Sequence, residues 1–285
     1  MAWGVYGSSQ VVRQPRYCPA STPDDYGLKW EGLSLRASDG VQISTWLIRH
    51  PDPQGTLLLF HGFGTSKADL LDCAHAFRTA GSYQLLLIDF RGHGFSDGKT
   101  LSFGKREILD VEAALAFLEG DPLFRTLPVG CYGISMGGAI GLLAAARFLR
   151  IQAIACEGVY ADLGRAIARV QRMTYHIPRI PLGQMVIWAT EIRLRCRMRT
   201  LSPVHAIGRV SPRSVLLIHG LEDRSILPEE SQRLFEAARG PKELWWVPGA
   251  EHVACFYRDP VVYTQRILGF FDHAFQGKTQ APPRF

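Results

Sequence analysis

Pro128-Val129-Gly130-Cys131-Tyr132-Gly133-Ile134-Ser135-Met136-Gly137-Gly138 is the stretch from which the rest of the chain can be read. The apolar run from Pro128 to Ile134 reads as a buried strand, and Met136 to Leu149, rich in alanine and leucine, reads as a helix. Between them a single serine stands in a Gly-x-Ser-x-Gly setting. A strand that turns at once into a helix holds the residue at the turn in strained backbone, so its neighbours must do without side chains. The turn lifts the hydroxyl clear of the sheet and sets it near a helix N-terminus, whose dipole favours developing negative charge. Ser135 is therefore the candidate nucleophile, and Gly138 further reduces crowding where helix meets sheet.

Working outward, the same alternation of strand and helix recurs. Thr56 to His61 and Gln84 to Phe90 are solid apolar runs of the kind buried on both faces of a sheet. Ala68 to Ala80 and Phe103 to Gly120 have helical spacing, the second with Ile108, Val111, Leu115 and Leu118 on one stripe. Beyond the serine, strands are expected at Ile151 to Cys156, Arg213 to His219 and Glu243 to Pro248. Helices are expected at Pro228 to Arg239 and Pro260 to Phe275. Upstream, Trp30 to Ala37 and Val41 to Arg49 flank Ser38-Asp39-Gly40, an Asp-Gly turn that predicts a hairpin. The pattern is that of an α/β protein with a mostly parallel sheet of about eight strands and helices on both faces.

One segment breaks the alternation. Glu157 to Arg213 lies between two strands and is too long for a structureless loop, so a small helical cap, about 158–212, is expected before the penultimate strand. It carries ten arginines against three acids, which accounts for the whole chain's net charge of +6. Asp162 to Tyr175 puts Leu163, Ile167 and Val170 on one helical face and Arg165, Arg169 and Arg172 on another. Ile192 to Arg199 alternates apolar residues with arginine at period two, which leaves helix and strand both open. An apolar inner face suits an acyl chain. The arginines suit a solvated outer face, or contact with an anionic headgroup, phosphate or membrane surface. No nucleic-acid-binding motif accompanies the charge.

Length and composition fit one domain over 26–276, with a loose leader at 1–25 and a flexible tail at 277–285. The chain has 285 residues, 47% apolar and 20% charged. The richest apolar run, Ala139 to Leu149, is far shorter than the roughly 20 residues of a spanning helix, and no basic leader precedes an apolar core. A cytoplasmic protein is expected. Six scattered cysteines without metal-ligand spacing argue against a zinc site or a disulfide framework. Oligomeric state is not legible.

Four further motifs stand at the ends of predicted strands. His61-Gly62-Phe63-Gly64 follows one, and Asp89-Phe90-Arg91-Gly92-His93-Gly94-Phe95-Ser96 follows the next, with Asp89 and Arg91 read as loop supports. His219-Gly220-Leu221-Glu222-Asp223 presents a carboxylate at the edge where open α/β sheets bind ligands. Asp223 is the candidate acid, with Glu157 a second candidate and His219 a support for the turn. Pro248-Gly249-Ala250-Glu251-His252 places a histidine late, in a loop after the last strand, and His252 is the candidate base.

In this order Ser135, Asp223 and His252 resemble the triad of the α/β-hydrolase superfamily. From about Trp30 to Phe275 the chain is similar to its serine hydrolases, of the serine aminopeptidase-like or esterase and lipase-like kind. The resemblance implies that the backbone N–H groups of Phe63 and Met136 form an oxyanion hole. It implies acyl transfer from a small-molecule carboxylic ester or thioester to water, with no metal or cofactor. A peptidase or amidase is the alternative, though the basic cap offers no acidic cluster for a substrate amine. A silent binding scaffold is a third reading, disfavoured by the intact trio.

Overall fold

The computed structural model describes residues 2–13, 15–175 and 179–277. Eight strands form one sheet in the order β1-β2-β4-β3-β5-β6-β7-β8. They are β1 (Glu31–Arg36), β2 (Gln42–Ile48), β3 (Gly55–Phe60), β4 (Tyr83–Ile88), β5 (Val129–Ile134), β6 (Ile151–Glu157), β7 (Ser214–Gly220) and β8 (Lys242–Val247). β1 and β2 form the expected hairpin, turning at Gly40, whose φ of +87° only glycine adopts without strain. β2 joins β4 antiparallel, and every later pairing is parallel. This is the doubly wound arrangement that alternating buried strands and amphipathic helices demand.

The parallel strands β3 and β4 are buried along their whole length because helices cover both faces. Alternate side chains go to opposite layers. Leu58, Phe60, Leu86 and Ile88 pack in the layer containing α3 (Glu107–Gly120) and α5 (Met136–Arg147). Leu57, Leu59, Leu85 and Leu87 pack with α2 (Leu71–Ala80) and α9 (Pro260–Phe275). Each such side chain contributes about 1.5–3 kcal/mol by leaving water. A single turn, α4 (Pro122–Arg125), precedes β5.

Parallel register brings four strand ends to one rim. Phe60 pairs with Gly133, Ile134 with Glu157, Glu157 with Ile218, and Gly220 with Val247. The loops after β3, β5, β7 and β8 therefore emerge side by side, although their motifs are up to 191 residues apart in sequence, from His61 to His252.

Three expectations change. First, the leader is not loose. Ala2–Val12 forms α1, which packs on α7 (Gln184–Leu194) so closely that a Cβ on Gly7 would lie 2.6 Å from Val186 Cγ2. Val12 is buried and its carbonyl accepts from Leu101 N at 2.9 Å, while Arg16 donates to the carbonyls of Ser96 at 2.6 Å and Gly98 at 2.7 Å. These are tertiary contacts, invisible to local pattern. Second, the helix expected from Phe103 begins at Glu107. Phe103 and Gly104 take φ of +53° and +108°, and the Glu107 carboxylate accepts from Ser102 N, Ser102 Oγ and Gly104 N, which holds this loop out of the helix. Third, the period-two stretch is neither strand nor continuous helix. α7 ends at Leu194, Arg195 is left-handed at φ +47°, and Met198–Leu201 makes a 3-10 turn. Among the described residues between β6 and β7 there are also α6 (Leu163–Tyr175) and a π-helical turn at Arg179–Gly183 that leads into α7. α8 (Pro228–Ala237) follows β7. Of the expected flexible tail, residues 278–285 lie outside the described residues. No helix among the described residues is long and apolar enough to cross a membrane.

Candidate active site

Ser135 stands at the junction of β5 and α5 with φ 49° and ψ −117°, a conformation that L residues hold only when the surroundings enforce it. The enforcement is visible. Ser135 N donates to Glu157 O at 2.8 Å, and its own carbonyl accepts from Ala139 N at 3.0 Å. The flanking glycines are needed for space: a Cβ on Gly133 would lie 2.7 Å from Gly137 C, and one on Gly137 would lie 2.3 Å from Phe60 O.

The three residues chosen from sequence meet. His252 Nε2 lies 3.0 Å from Ser135 Oγ, and His252 Nδ1 lies 2.6 Å from Asp223 Oδ2. Asp223 is itself held by its other oxygen, which accepts from Ser225 N at 2.8 Å and Ile226 N at 2.9 Å. His219 Nε2 lies 2.9 Å from Ile226 O and 3.3 Å from Asp223 Oδ2, while Nδ1 meets Ser231 Oγ at 2.6 Å. Burial pushes the Asp223 carboxyl up, but hydrogen bonds from His219 and His252, the charge of His252 and the Ile226 N–H outweigh it and hold the group at about 2. Asp223 is thus an anion facing the imidazole N–H. Glu222, its neighbour, is exposed.

Glu157, the second candidate acid, does different work. Its carboxylate is buried and accepts from Cys255 N at 2.9 Å and Tyr263 Oη at 2.6 Å, which ties the loop carrying His252 to the sheet and to α9. Burial raises its pKa, opposed by those two hydrogen bonds. Tyr263 continues to Tyr132 at 3.0 Å. Gly158, which sequence reasoning missed, makes room for the imidazole: a Cβ there would lie 3.3 Å from His252 Cε1, and its φ is +63°. Its signal was the glycine at the end of a buried strand.

The loop after β3 abuts the serine, with the position of a Cβ on Gly62 3.7 Å from Ser135 Cβ. His61 props it: Phe90 N donates to Nε2 at 3.0 Å, so Nδ1 carries the proton and donates to Gly62 O at 2.7 Å. Burial lowers the His61 pKa to about 3, which leaves it neutral and structural. Met136 opens α5, where the first four N–H groups lack intrahelical acceptors. Phe63 lies on the adjoining loop, its ring 6.0 Å from that of Phe103 in a stacked pair.

Asp89 and Arg91 are supports. The buried Asp89 carboxylate accepts from Lys67 N at 2.8 Å and Phe95 N at 2.9 Å and pairs with Lys67 Nζ. The ammonium also sits 4.6 Å from the centre of the Trp46 ring. Arg91 binds Asp110 Oδ1 at 2.8 Å through Nε and Asp39 Oδ2 at 2.6 Å through Nη1. Lys67 carries no motif and was not legible.

Ser135 and His252 open onto a cavity of about 500 Å³. Its walls are largely apolar, formed by Phe63, Phe103 and Ile134 from the sheet side and by Leu163, Ile167 and Val170 from α6. Tyr6 and Val11 of α1 complete it, so the leader is part of the site. No arginine of α6 or α7 is among the described residues lining the cavity, and several serve the fold. Arg169 donates to Arg224 O at 2.8 Å and Arg193 to Ser9 Oγ at 2.7 Å, while Arg195, Arg197 and Arg199 are exposed.

A serine raised at the rim of a doubly wound sheet, with histidine and carboxylate in line, is the architecture of the α/β hydrolases, and the chain has that fold. The family model described as serine aminopeptidase, S33, matches residues 51–187. The protein YqkD of Bacillus subtilis (strain 168) is 28% identical over 236 residues, covering 82% of this chain and 76% of the relative. Protein bem46 of Schizosaccharomyces pombe is 27% identical over 220 residues, covering 75% of this chain and 67% of its own. Among solved structures, the Pyrococcus furiosus esterase Pf2001 superposes with a TM-score of 0.76 at 23% identity, over 93% of this chain and all of that one. Est1E from Butyrivibrio proteoclasticus, solved with ferulic acid bound, superposes at 0.66 with 19% identity, over 86% of this chain and 99% of its own.

Proposed function

We propose that the protein is a serine hydrolase that cleaves a carboxylic ester or thioester through an acyl-enzyme at Ser135. The observation that carries this reading is the relay from Ser135 Oγ to His252 at 3.0 Å and on to Asp223 at 2.6 Å, opening on an apolar cavity.

In the proposed cycle His252 Nε2 takes the hydroxyl proton as Oγ attacks the substrate carbonyl. The N–H groups of Phe63 and Met136 receive the oxyanion, and the imidazolium then protonates the departing alcohol or thiol. Water, deprotonated by the same nitrogen, attacks the acyl-enzyme, and collapse of the second oxyanion returns the proton to Oγ. Asp223 keeps Nδ1 protonated throughout and stabilises the imidazolium. An oxyanion donor of this kind contributes about 3–4 kcal/mol to the transition state.

A peptidase of the same fold is the second reading, prompted by the family whose model matches. An amine-recognising site would place a carboxylate in the cavity, and among the described residues lining it none is Asp or Glu. p-Nitrophenyl esters of rising chain length, set beside aminoacyl p-nitroanilides, separate the two. Ester turnover that falls by on the order of 10⁶ in Ser135→Ala supports the proposal. Turnover of the anilides alone, or ester turnover undiminished in the variant, would overturn it.

A further inference from the structure

In α7, Val186 and Thr190 are buried, with Val186 packed against Gly7 of α1. On the opposite side of the helix stand Trp188 and Ile192, one turn apart and 58% and 77% exposed. A helix on the surface of a globular fold ordinarily turns polar groups outward at such positions. A single exposed apolar side chain is common. A tryptophan and an isoleucine sharing the solvent face of one helix are less so, and they ask for an occupant.

The chain leaving this helix carries charge. Arg195, Arg197 and Arg199 are exposed, while Cys196 is half-buried and Met198 is buried. The period-two alternation thus sets the apolar residues inward and the three arginines outward. None of the three takes part in an ion pair among the described residues. Glu191, the one acid of α7, is turned instead to Met198 N at 2.8 Å, and Arg193 is taken up by Ser9 Oγ at 2.7 Å. Three unneutralised guanidinium groups therefore follow directly on an exposed Trp and Ile.

We propose that this end of the cap docks on an anionic lipid bilayer. Trp188 and Ile192 enter the boundary between headgroups and acyl chains, and Arg195, Arg197 and Arg199 bind headgroup phosphates. An indole ring, apolar with one polar N–H, suits that depth, and guanidinium matches the phosphate oxygens in pairs. Basic and large apolar residues combined on one element are what interfacial binding requires. A free phosphate would satisfy the arginines but leave Trp188 and Ile192 uncovered. None of these five residues lines the cavity beside Ser135, so docking does not depend on the chemistry proposed there.

The full-length protein is sedimented with vesicles of phosphatidylcholine alone and of phosphatidylcholine with phosphatidylglycerol, in low and in molar salt. Binding is expected to the anionic vesicles, at least ten-fold tighter than to the neutral ones and weakened by salt. Each arginine near an anionic surface strengthens partitioning about five-fold, so changing all three to Gln should weaken it on the order of 100-fold. Trp188→Gln with Ile192→Gln should weaken it about ten-fold or more. Tryptophan emission should move to the blue on binding, and the shift should vanish in Trp188→Phe. All five side chains are exposed, so melting temperatures should stay within about 2 °C of the native value. Failure to bind anionic vesicles would overturn the proposal, as would binding that both sets of substitutions leave intact. Binding sensitive to the arginines but indifferent to Trp188 and Ile192 would overturn it too, since charge alone would then hold the protein. So would a native dimer that Trp188→Gln with Ile192→Gln converts to monomer without changing vesicle binding, because the face would then belong to a second copy of the chain.

Discussion

Asp223→Asn should abolish turnover while leaving the fold and substrate binding in place, and the structure says why. Asn is isosteric, but its two ends differ. Asp223 Oδ1 accepts from two backbone N–H groups, those of Ser225 at 2.8 Å and Ile226 at 2.9 Å. The amide NH₂ cannot sit there without meeting two donors, so the carboxamide oxygen must take that position and the NH₂ must face His252 Nδ1. Nδ1 then becomes an acceptor, the ring proton moves to Nε2, and the nitrogen 3.0 Å from Ser135 Oγ can no longer receive a proton. Loss of the correct tautomer in a serine–histidine–aspartate triad lowers kcat on the order of 10⁴-fold, about 5.5 kcal/mol of transition-state stabilisation. KM for a p-nitrophenyl ester should change little. The same substitution has a stability signature. Because the folded carboxyl titrates near 2 rather than at its ordinary 3.8, the ionised form contributes about 2 kcal/mol. That contribution is complete above about pH 4 and is lost as pH falls through about 2. Melting curves of the native and Asn proteins should therefore differ at neutral pH and converge toward acid. A variant retaining more than a tenth of native kcat would refute the tautomer argument.

Three other perturbations test the scaffold. Lys67→Met leaves Asp89 buried without its cation and should destabilise by about 3–5 kcal/mol, lowering the melting temperature by roughly 5–8 °C in a chain of this length; Asp89→Asn in the same background should recover part of the loss. Gly137→Ala should prevent accumulation of folded protein, because the added carbon would lie 2.3 Å from Phe60 O and 2.4 Å from His61 O, both backbone atoms that cannot rotate away. A soluble variant with an unchanged melting temperature would contradict that packing. Tyr263→Phe removes the donor at 2.6 Å from Glu157 and loosens the loop carrying His252, so kcat should fall about ten-fold with KM nearly constant, as a burst and steady-state assay would show.

Much of this architecture could be read from local pattern because its elements are locally determined. The buried strands β3, β4 and β5 are continuous apolar runs, and the serine turn advertises itself through glycines that steric contact requires. Ser135, Asp223 and His252 were separately visible because each follows a strand, and parallel register then brings strand ends together. What stayed hidden depends on contacts between distant segments. α1 has weak helical credentials, with two glycines and two serines in eleven residues, and owes its position to Val186 and Leu101. Lys67 is an unremarked lysine until Asp89 folds over it. Glu157 could be proposed as an acid from its place at a strand end, but only the position of Cys255 and Tyr263 shows that it anchors the histidine loop. The period-two arginines left helix and strand open for the same reason, since helix α7 and the turn after it are set by packing rather than by alternation.

The central claim is that Ser135 becomes acylated. Quenching the reaction with p-nitrophenyl decanoate in the first milliseconds and weighing the protein should show one decanoyl group per chain, carried on the peptide containing Ser135. It should be absent from Ser135→Ala. An acyl group found on another residue, or ester turnover with no acylated protein at any time under conditions where deacylation is slowed, would contradict the account.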